Sequence, residues 1–357
     1  MSLDPTLADG SPPRVRHRRQ RPRSRRLVGV ALAIFLVLWL SVVAWYEVQV
    51  HAVGAAKGTM VTIDIASGEP VSSVISELAS KGVVTSSLAF SISSLIHGQP
   101  TITPGWYSLP TGSTFGAVRS VLAAPSNTDV LDVPPGFTIR EITARLATQM
   151  PAPFVAGVRS ALHDGTVRSG YQPPGSTSLE GLVAPGRYLI APATTPSSLV
   201  HAMVQRFVAM ASAKGLAPGT TVRGRDAYSI ITEASVVEKE GYQVRNMAKV
   251  ARVIDNRLAA DMPLQMDSTV LYALKQDGGP VTHATLQTPS AYNTYLHRGL
   301  PPTPICVVSP QALAAAISPP AGPWLYFTVV DKTGTEAFAT TFAEQLANER
   351  LAQERGL

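Results

Sequence analysis

Ile231-Thr232-Glu233-Ala234-Ser235-Val236-Val237-Glu238-Lys239-Glu240-Gly241 sets three carboxylates and one lysine on an apolar segment that stops at a glycine. The spacing predicts a helix over Asp226–Glu240. On its wheel Ile230, Ala234, Val237 and Gly241 form the buried side. Glu233 and Glu240 flank that side on one edge, Glu238 flanks it on the other, and Lys239 points away. Taken alone, a Glu-Lys-Glu run reads as a solvated helix end. The chemical alternative is a general acid/base, a carboxyl kept protonated near neutral pH by partial burial. Periodicity does not choose among the three glutamates. Position favours Glu240: it sits in the last turn beside Gly241, a predicted C′ residue, where the negative end of the helix dipole disfavours an ionised carboxylate.

Upstream, one pattern occurs three times. Gly68, Gly112 and Gly136 each follow a strand-like run, VTIDI, GWYSL or DVLDV. Pro70, Thr114 and Thr138 come two residues later, suited to a helix start. Apolar residues then fall at identical offsets: Val71, Val74 and Leu78; Phe115, Val118 and Leu122; Ile139, Ile142 and Leu146. Gaps of three and four put each trio on one helical face. Three β-turn-α units follow, the first two forming a small sugar-binding-like module. Met150–Gly175, rich in Pro and Gly, reads as irregular. Further helices are expected over Leu199–Met210, Met247–Leu258, Gln311–Ile317 and Phe342–Arg355, with a strand over Trp324–Val330. Loops between them carry Gln265, Asp267, Tyr292 and Asn293.

The charge is uneven. Eight arginines between Arg14 and Arg26, against Asp4 and Asp9, account for the whole formal net charge of +6. The other 331 residues hold 22 basic and 22 acidic side chains. Leu27–Tyr46 is a run of 20 uncharged residues, enough to cross a bilayer core as a helix. Arginines before it and aromatics at its end predict one span with residues 1–26 in the cytoplasm and Glu47 onward outside. The anchor accounts for the basic cluster, so no nucleic-acid partner is expected. The run exceeds an ordinary signal-peptide core, and Ala52-Val53-Gly54 lies well beyond it. The single cysteine, Cys306, forbids an intrachain disulfide and reads as a buried core residue. The seven histidines show no metal-ligand pairing, and no phosphate loop or dinucleotide fingerprint is evident. No cofactor or metal is expected.

Several separated stretches, LEGLVAPGRY, ASVVEKE, NRLAADMPLQMDSTVLYAL and LQTPSAYNTYLHRGLPPTPIC, resemble the MltG (YceG-like) membrane-bound endolytic murein transglycosylases, in that family's order, across roughly residues 58–345. The resemblance implies an α+β chain: a transmembrane helix (27–46), a linker (47–57), a LysM-like β/α module (58–126) and a mixed α/β catalytic domain (127–357). It implies cleavage of the β-1,4 bond after N-acetylmuramic acid inside nascent glycan strands, with peptidoglycan strands, the cytoplasmic membrane and synthase complexes as partners. The family's catalytic glutamate maps onto Glu240. The chain departs from it at Pro185-Gly186-Arg187-Tyr188, where the family has Pro-Asp-Thr-Tyr, and at Asp267-Ser268-Thr269, where it has Asp-Pro-Thr.

One dominant carboxyl suits that chemistry. In a lytic transglycosylase the substrate's C6 hydroxyl attacks C1, so no nucleophilic carboxylate or activated water is needed, unlike the usual pair of a glycosidase. Gln265, Asp267, Tyr292, Asn293 and Tyr295 are candidates for holding sugar groups. Tyr292 and Tyr295 could equally be half-buried core residues, and Asn293 could merely fix a turn. Glu180 reads as either a sugar contact or a structural hydrogen bond, and Glu238 as support for Glu240. A glycan-binding scaffold without catalysis and a hydrolytic muramidase are the alternatives.

Overall fold

The computed structural model describes residues 23–241 and 243–357. The basic tail therefore lies mostly outside the described residues. α1 (Arg23–Val50) carries 24 consecutive apolar-rich residues, Leu27–Val50, whose most apolar 18-residue window has a mean hydropathy of 2.8, the one helix among the described residues long and apolar enough to cross a membrane. It runs four residues past the expected span, through the start of the expected linker.

The chain divides into two compact units. One runs to Pro104 and includes Leu109–Pro125; the other comprises Gly105–Ser108 and Ser126–Leu357. The first holds α1, β1 (Met60–Ile65), α2 (Val71–Ser80) and α3 (Ser87–His97). β2 (Gly105–Pro110) straddles the division, and α4 (Phe115–Ala123) returns to the first unit. The second continues with β3 (Asp129–Val133), α5 (Ile139–Leu146), α6 (Ala152–Ala161), β4 (Gly186–Ile190), α7 (Pro196–Ala213), β5 (Thr221–Val222) and β6 (Arg225–Asp226). Then come α8 (Ala227–Glu240), α9 (Val244–Ala259), α10 (Asp267–Ala273), α11 (His283–Leu286) and α12 (Pro310–Ile317). β7 (Tyr326–Val329), β8 (Glu336–Ala339) and α13 (Phe342–Glu354) close the chain.

The repeated pattern is real structure. Gly68, Gly112 and Gly136 all have positive φ, between 66° and 82°, which is why glycine stands there. α2, α4 and α5 follow, and every predicted face residue is buried except Val71, which is half-buried. Thr114 and Thr138 cap their helices through side-chain oxygens. Pro70 occupies the N-cap position without such a bond, one residue earlier than a proline at the first helical position. α3 has no counterpart in the repeat. α6 takes up the first part of the stretch expected to be irregular, while residues 162–175 are irregular as expected: Pro151 and Pro153 sit at the start of the helix, where a missing N–H costs nothing, so this proline pair initiates rather than breaks.

α8 is the axis of the second unit. Its residues from Ile230 to Val237 are all buried, so the amphipathic wheel is wrong for its first half: the helix is enclosed on nearly every side. Ile230, Ile231 and Ala234 join one apolar core, with α6 and α7. Val236 and Val237 join another, with α9 and α12. Truncating Ile231, fully buried, to alanine would cost about 2–5 kcal/mol. The segment Ile305–Ser309 is zipped alongside α8. The Ile305 N–H donates to Ser235 Oγ (3.0 Å), the Ser309 N–H to Glu238 Oε2 (2.8 Å), and Val307 exchanges backbone bonds with Gly136 and Phe137. Cys306 is buried on the same segment, its thiol 3.3 Å from the Ser235 carbonyl, and burial pushes that thiol up, away from reactivity.

Candidate active site

Glu240 ends α8. Gly241 follows at φ −74°, so the helix does not close on a left-handed glycine as predicted. Glycine is needed there for close approach: a Cβ would lie 2.7 Å from Met247 Cγ and 2.9 Å from the Val237 carbonyl oxygen. With no side chain at 241, α9 packs tightly under the end of α8.

The Glu240 carboxyl faces the first turn of α10. The Ser268 N–H and hydroxyl both donate to Oε1, at 3.1 and 2.6 Å, and no described hydrogen bond falls on Oε2. Burial raises its pKa; the two Ser268 bonds oppose that rise, and the neighbouring Asp267 charge adds to it. A cleft of about 230 Å³ opens here, lined by Lys239, Glu240, Asp267, Ser268, Tyr272 and Thr138 among others. Asp267 is exposed and accepts a 2.6 Å bond from the Tyr295 hydroxyl, which burial and that carboxylate together push up and keep protonated.

The remaining candidates separate. Gln265 is exposed, at φ 52°, with its amide oxygen 3.4 Å from the guanidinium of buried Arg257. Asn293 is fully buried; its Nδ2 donates to the Leu286 and Thr288 carbonyls and its Oδ1 accepts from the Tyr295 N–H. It spends its amide fixing the loop that presents Tyr295, leaving nothing for a sugar. Glu238 turns the other way and holds Ser309, the N-cap of α12. Glu233, drawn at the wheel's edge with Glu240, is fully buried between Arg223 and Arg225.

Glu180 and Tyr292 belong to a larger cavity of about 670 Å³ that shares Thr138 and Tyr272 with the Glu240 cleft. Glu180 accepts the Ile139 N–H, which caps α5, and the Tyr272 hydroxyl at 3.2 Å. Burial pushes its pKa up to about 7. Tyr272 packs against Tyr292 with ring centroids 4.9 Å apart, and Tyr292 bonds to Thr303. Glu180 is therefore a structural acceptor that also lines a cavity. Ser268 and Tyr272 are absent from the sequence-based candidates. Ser268 had one signal, its place where the resembled family has proline; a proline would supply neither of its two donors. Tyr272 had none, because its partner Glu180 is 92 positions away.

Among the described residues no group of acidic, histidine or cysteine side chains is placed to hold a metal. Glu240 thus combines a pKa raised by burial, a hold on one oxygen and a place in a cleft. The model of the YceG-like family matches residues 63–351, and the chain belongs to that family. It is 27% identical over 304 residues to the endolytic murein transglycosylase of Bacillus subtilis, covering 80% of this chain and 83% of that protein. It is 28% identical over 313 residues to the protein of the same name from Streptococcus pneumoniae, and spans only 54% of that relative's length. A crystal structure of a yceG-like protein of Listeria monocytogenes superposes with a TM-score of 0.56 at 26% identity, over 81% of this chain and 98% of that one.

Proposed function

We infer that the chain is an endolytic murein transglycosylase with Glu240 as its acid/base. The observation that carries this is the Glu240 carboxyl: raised by burial, held on Oε1 by Ser268, and part of the lining of a cleft. The bond cut is the β-1,4 link from N-acetylmuramic acid to N-acetylglucosamine. Protonated Glu240 gives its proton to the glycosidic oxygen as the bond from C1 to that oxygen breaks. The resulting carboxylate takes the proton from the C6 hydroxyl as O6 bonds to C1, closing a 1,6-anhydro ring. The carboxyl is restored and no water is consumed. Asp267, held by Tyr295, steadies positive charge developing on the sugar, and Gln265 and Tyr292 line the strand's path.

The anchor α1 holds the enzyme in the cytoplasmic membrane, with the N-terminus inside and residues 127–357 acting on nascent strands outside. β1, α2, α3, β2 and α4 make the LysM-like module over residues 58–126, and synthases of the glycan are the natural partners. Mass spectrometry of uncrosslinked glycan after incubation tests the reaction: anhydro ends are expected. Asp267 in the same cleft favours one rival, a muramidase in which that carboxylate activates water; reducing ends would establish it. Binding without cleavage would leave a scaffold.

A further inference from the structure

The larger cavity carries more positive charge than a neutral glycan needs. Arg140, Arg159, His163 and Lys275 line it, and Glu180 is its one acidic lining residue. Glu180 is buried and already engaged by the Ile139 N–H and the Tyr272 hydroxyl. Arg140 pairs with Asp277 at the surface. Asp164, next to His163, is turned into its own loop by Ser160 and Thr166. Arg159 and Lys275 are exposed and enter no ion pair among the described residues. Their charge is available to a ligand. At about 670 Å³ the cavity is of the size that encloses a small ligand or a few residues of a peptide. It adjoins the Glu240 cleft, the two sharing Thr138 and Tyr272 in their linings, so its occupant is attached to, or adjacent to, the sugar being cleaved.

In murein the group that fits is the peptide on the lactyl ether of each muramyl residue, which carries carboxylates. Guanidinium and ammonium groups recognise carboxylates by charge-assisted hydrogen bonds. We propose that this cavity binds the carboxylate-bearing peptide of the muramyl residue beside the scissile bond, so that peptide-substituted strands are preferred over bare ones. The proposal rests on the murein reading given above.

Binding rather than turnover tests it, so that the result does not depend on the reaction. Full-length Glu240→Gln protein in detergent would be titrated with lipid-free glycan strands of matched length, bearing peptides or stripped by an amidase. Strands free of lipid pyrophosphate remove that second anion as a source of any difference. Peptide-bearing strands should bind at least about tenfold more tightly, with the advantage shrinking as salt rises. Adding Arg159→Ala and Lys275→Ala should bring the two affinities together by weakening the substituted strand alone. Replacing the pair by Arg159→Lys and Lys275→Arg should keep most of the preference. Equal affinity of both strands for the starting protein overturns the peptide site and leaves the murein reading standing. Weakening of both strands alike by the alanine pair also overturns it. Binding of neither strand removes the murein reading and the proposal with it.

Discussion

Glu233 and Glu240 lie seven residues apart, two turns of α8, on the same edge of its helical wheel, yet their surroundings are opposite. Glu233 is fully buried and meets cations: Arg225 at 2.7 Å and Arg223 at 3.0 Å, both also bonded to Asp255. Among the described residues Glu240 meets only the neutral donors of Ser268, and it has an acidic neighbour. Burial pushes the Glu233 pKa up to about 7 against the pull of the two guanidiniums, and a carboxyl bracketed by those arginines away from the cleft serves the fold. A carboxyl with neutral donors in a cleft can exchange a proton. What sets the two surroundings apart comes from outside the helix, from the β5–β6 hairpin and from α10.

The largest expected effect is at the first site. Glu233→Ala leaves Arg223 and Arg225 sharing Asp255 alone, and urea denaturation should register a loss of about 3–5 kcal/mol. A loss under about 1 kcal/mol would mean that the arginines are solvated and the contrast is false.

Glu180 extends the comparison, being buried with no ion pair among the described residues. Its folded pKa of about 7 lies above its ordinary value of 4.5. The folded state therefore holds the extra proton between those values, and stability falls as pH rises from about 4.5 to 7. The fall from this group is on the order of 3 kcal/mol. Glu180→Gln should flatten that part of the curve of unfolding free energy against pH. An unchanged slope would assign the pH dependence to other groups.

At the second site, Glu240→Gln keeps the size of the side chain but removes the transferable proton. The yield rate of 1,6-anhydro ends should drop at least about a hundredfold, roughly 2.7 kcal/mol, with little change in the denaturation midpoint. If Glu240→Gln retains near-normal yield while Glu238→Gln abolishes it, the acid is Glu238 and Glu240 is bystander to it.

The smallest effect belongs to Ser268→Ala. It removes the 2.6 Å hydroxyl bond and keeps the backbone one. That bond lowers the Glu240 pKa, so its loss raises it. Glu240 must be protonated to act, so the basic limb of the kcat/KM profile should move to higher pH, with turnover at neutral pH changing less than about tenfold. A shift to lower pH would contradict the role given to Ser268.

Much of the frame was legible because its causes are local. Glycine at positive φ followed by a cap and a three-four apolar spacing is settled within a dozen residues, and β1-α2, β2-α4 and β3-α5 follow from it. The apolar N-terminal helix is legible for the same reason, since hydropathy is additive along a chain. α6 was misread because composition was weighed instead of position: proline at a helix start is permitted, while the same count in mid-helix is not. The full enclosure of α8 was also missed. A wheel assumes one wet face, whereas Ile305–Ser309, α9 and α12 cover α8 from segments that follow it in the chain.

At the site, the sequence determined which residue types are present and their order: a glutamate ending an apolar helix, an aspartate and serine nearly thirty residues on, a tyrosine-rich loop beyond. Tertiary structure decided which of them meet. Ser268 reaches Glu240 across 28 positions, and Tyr272 reaches Glu180 across 92. Asn293 is turned inward to hold its loop. Local propensity depends on neighbours within a turn or two, but burial and hydrogen-bond partnership depend on what the rest of the chain brings alongside. A pKa is set by those partners, so the chemistry of Glu240 appears only once α10 is folded against the end of α8.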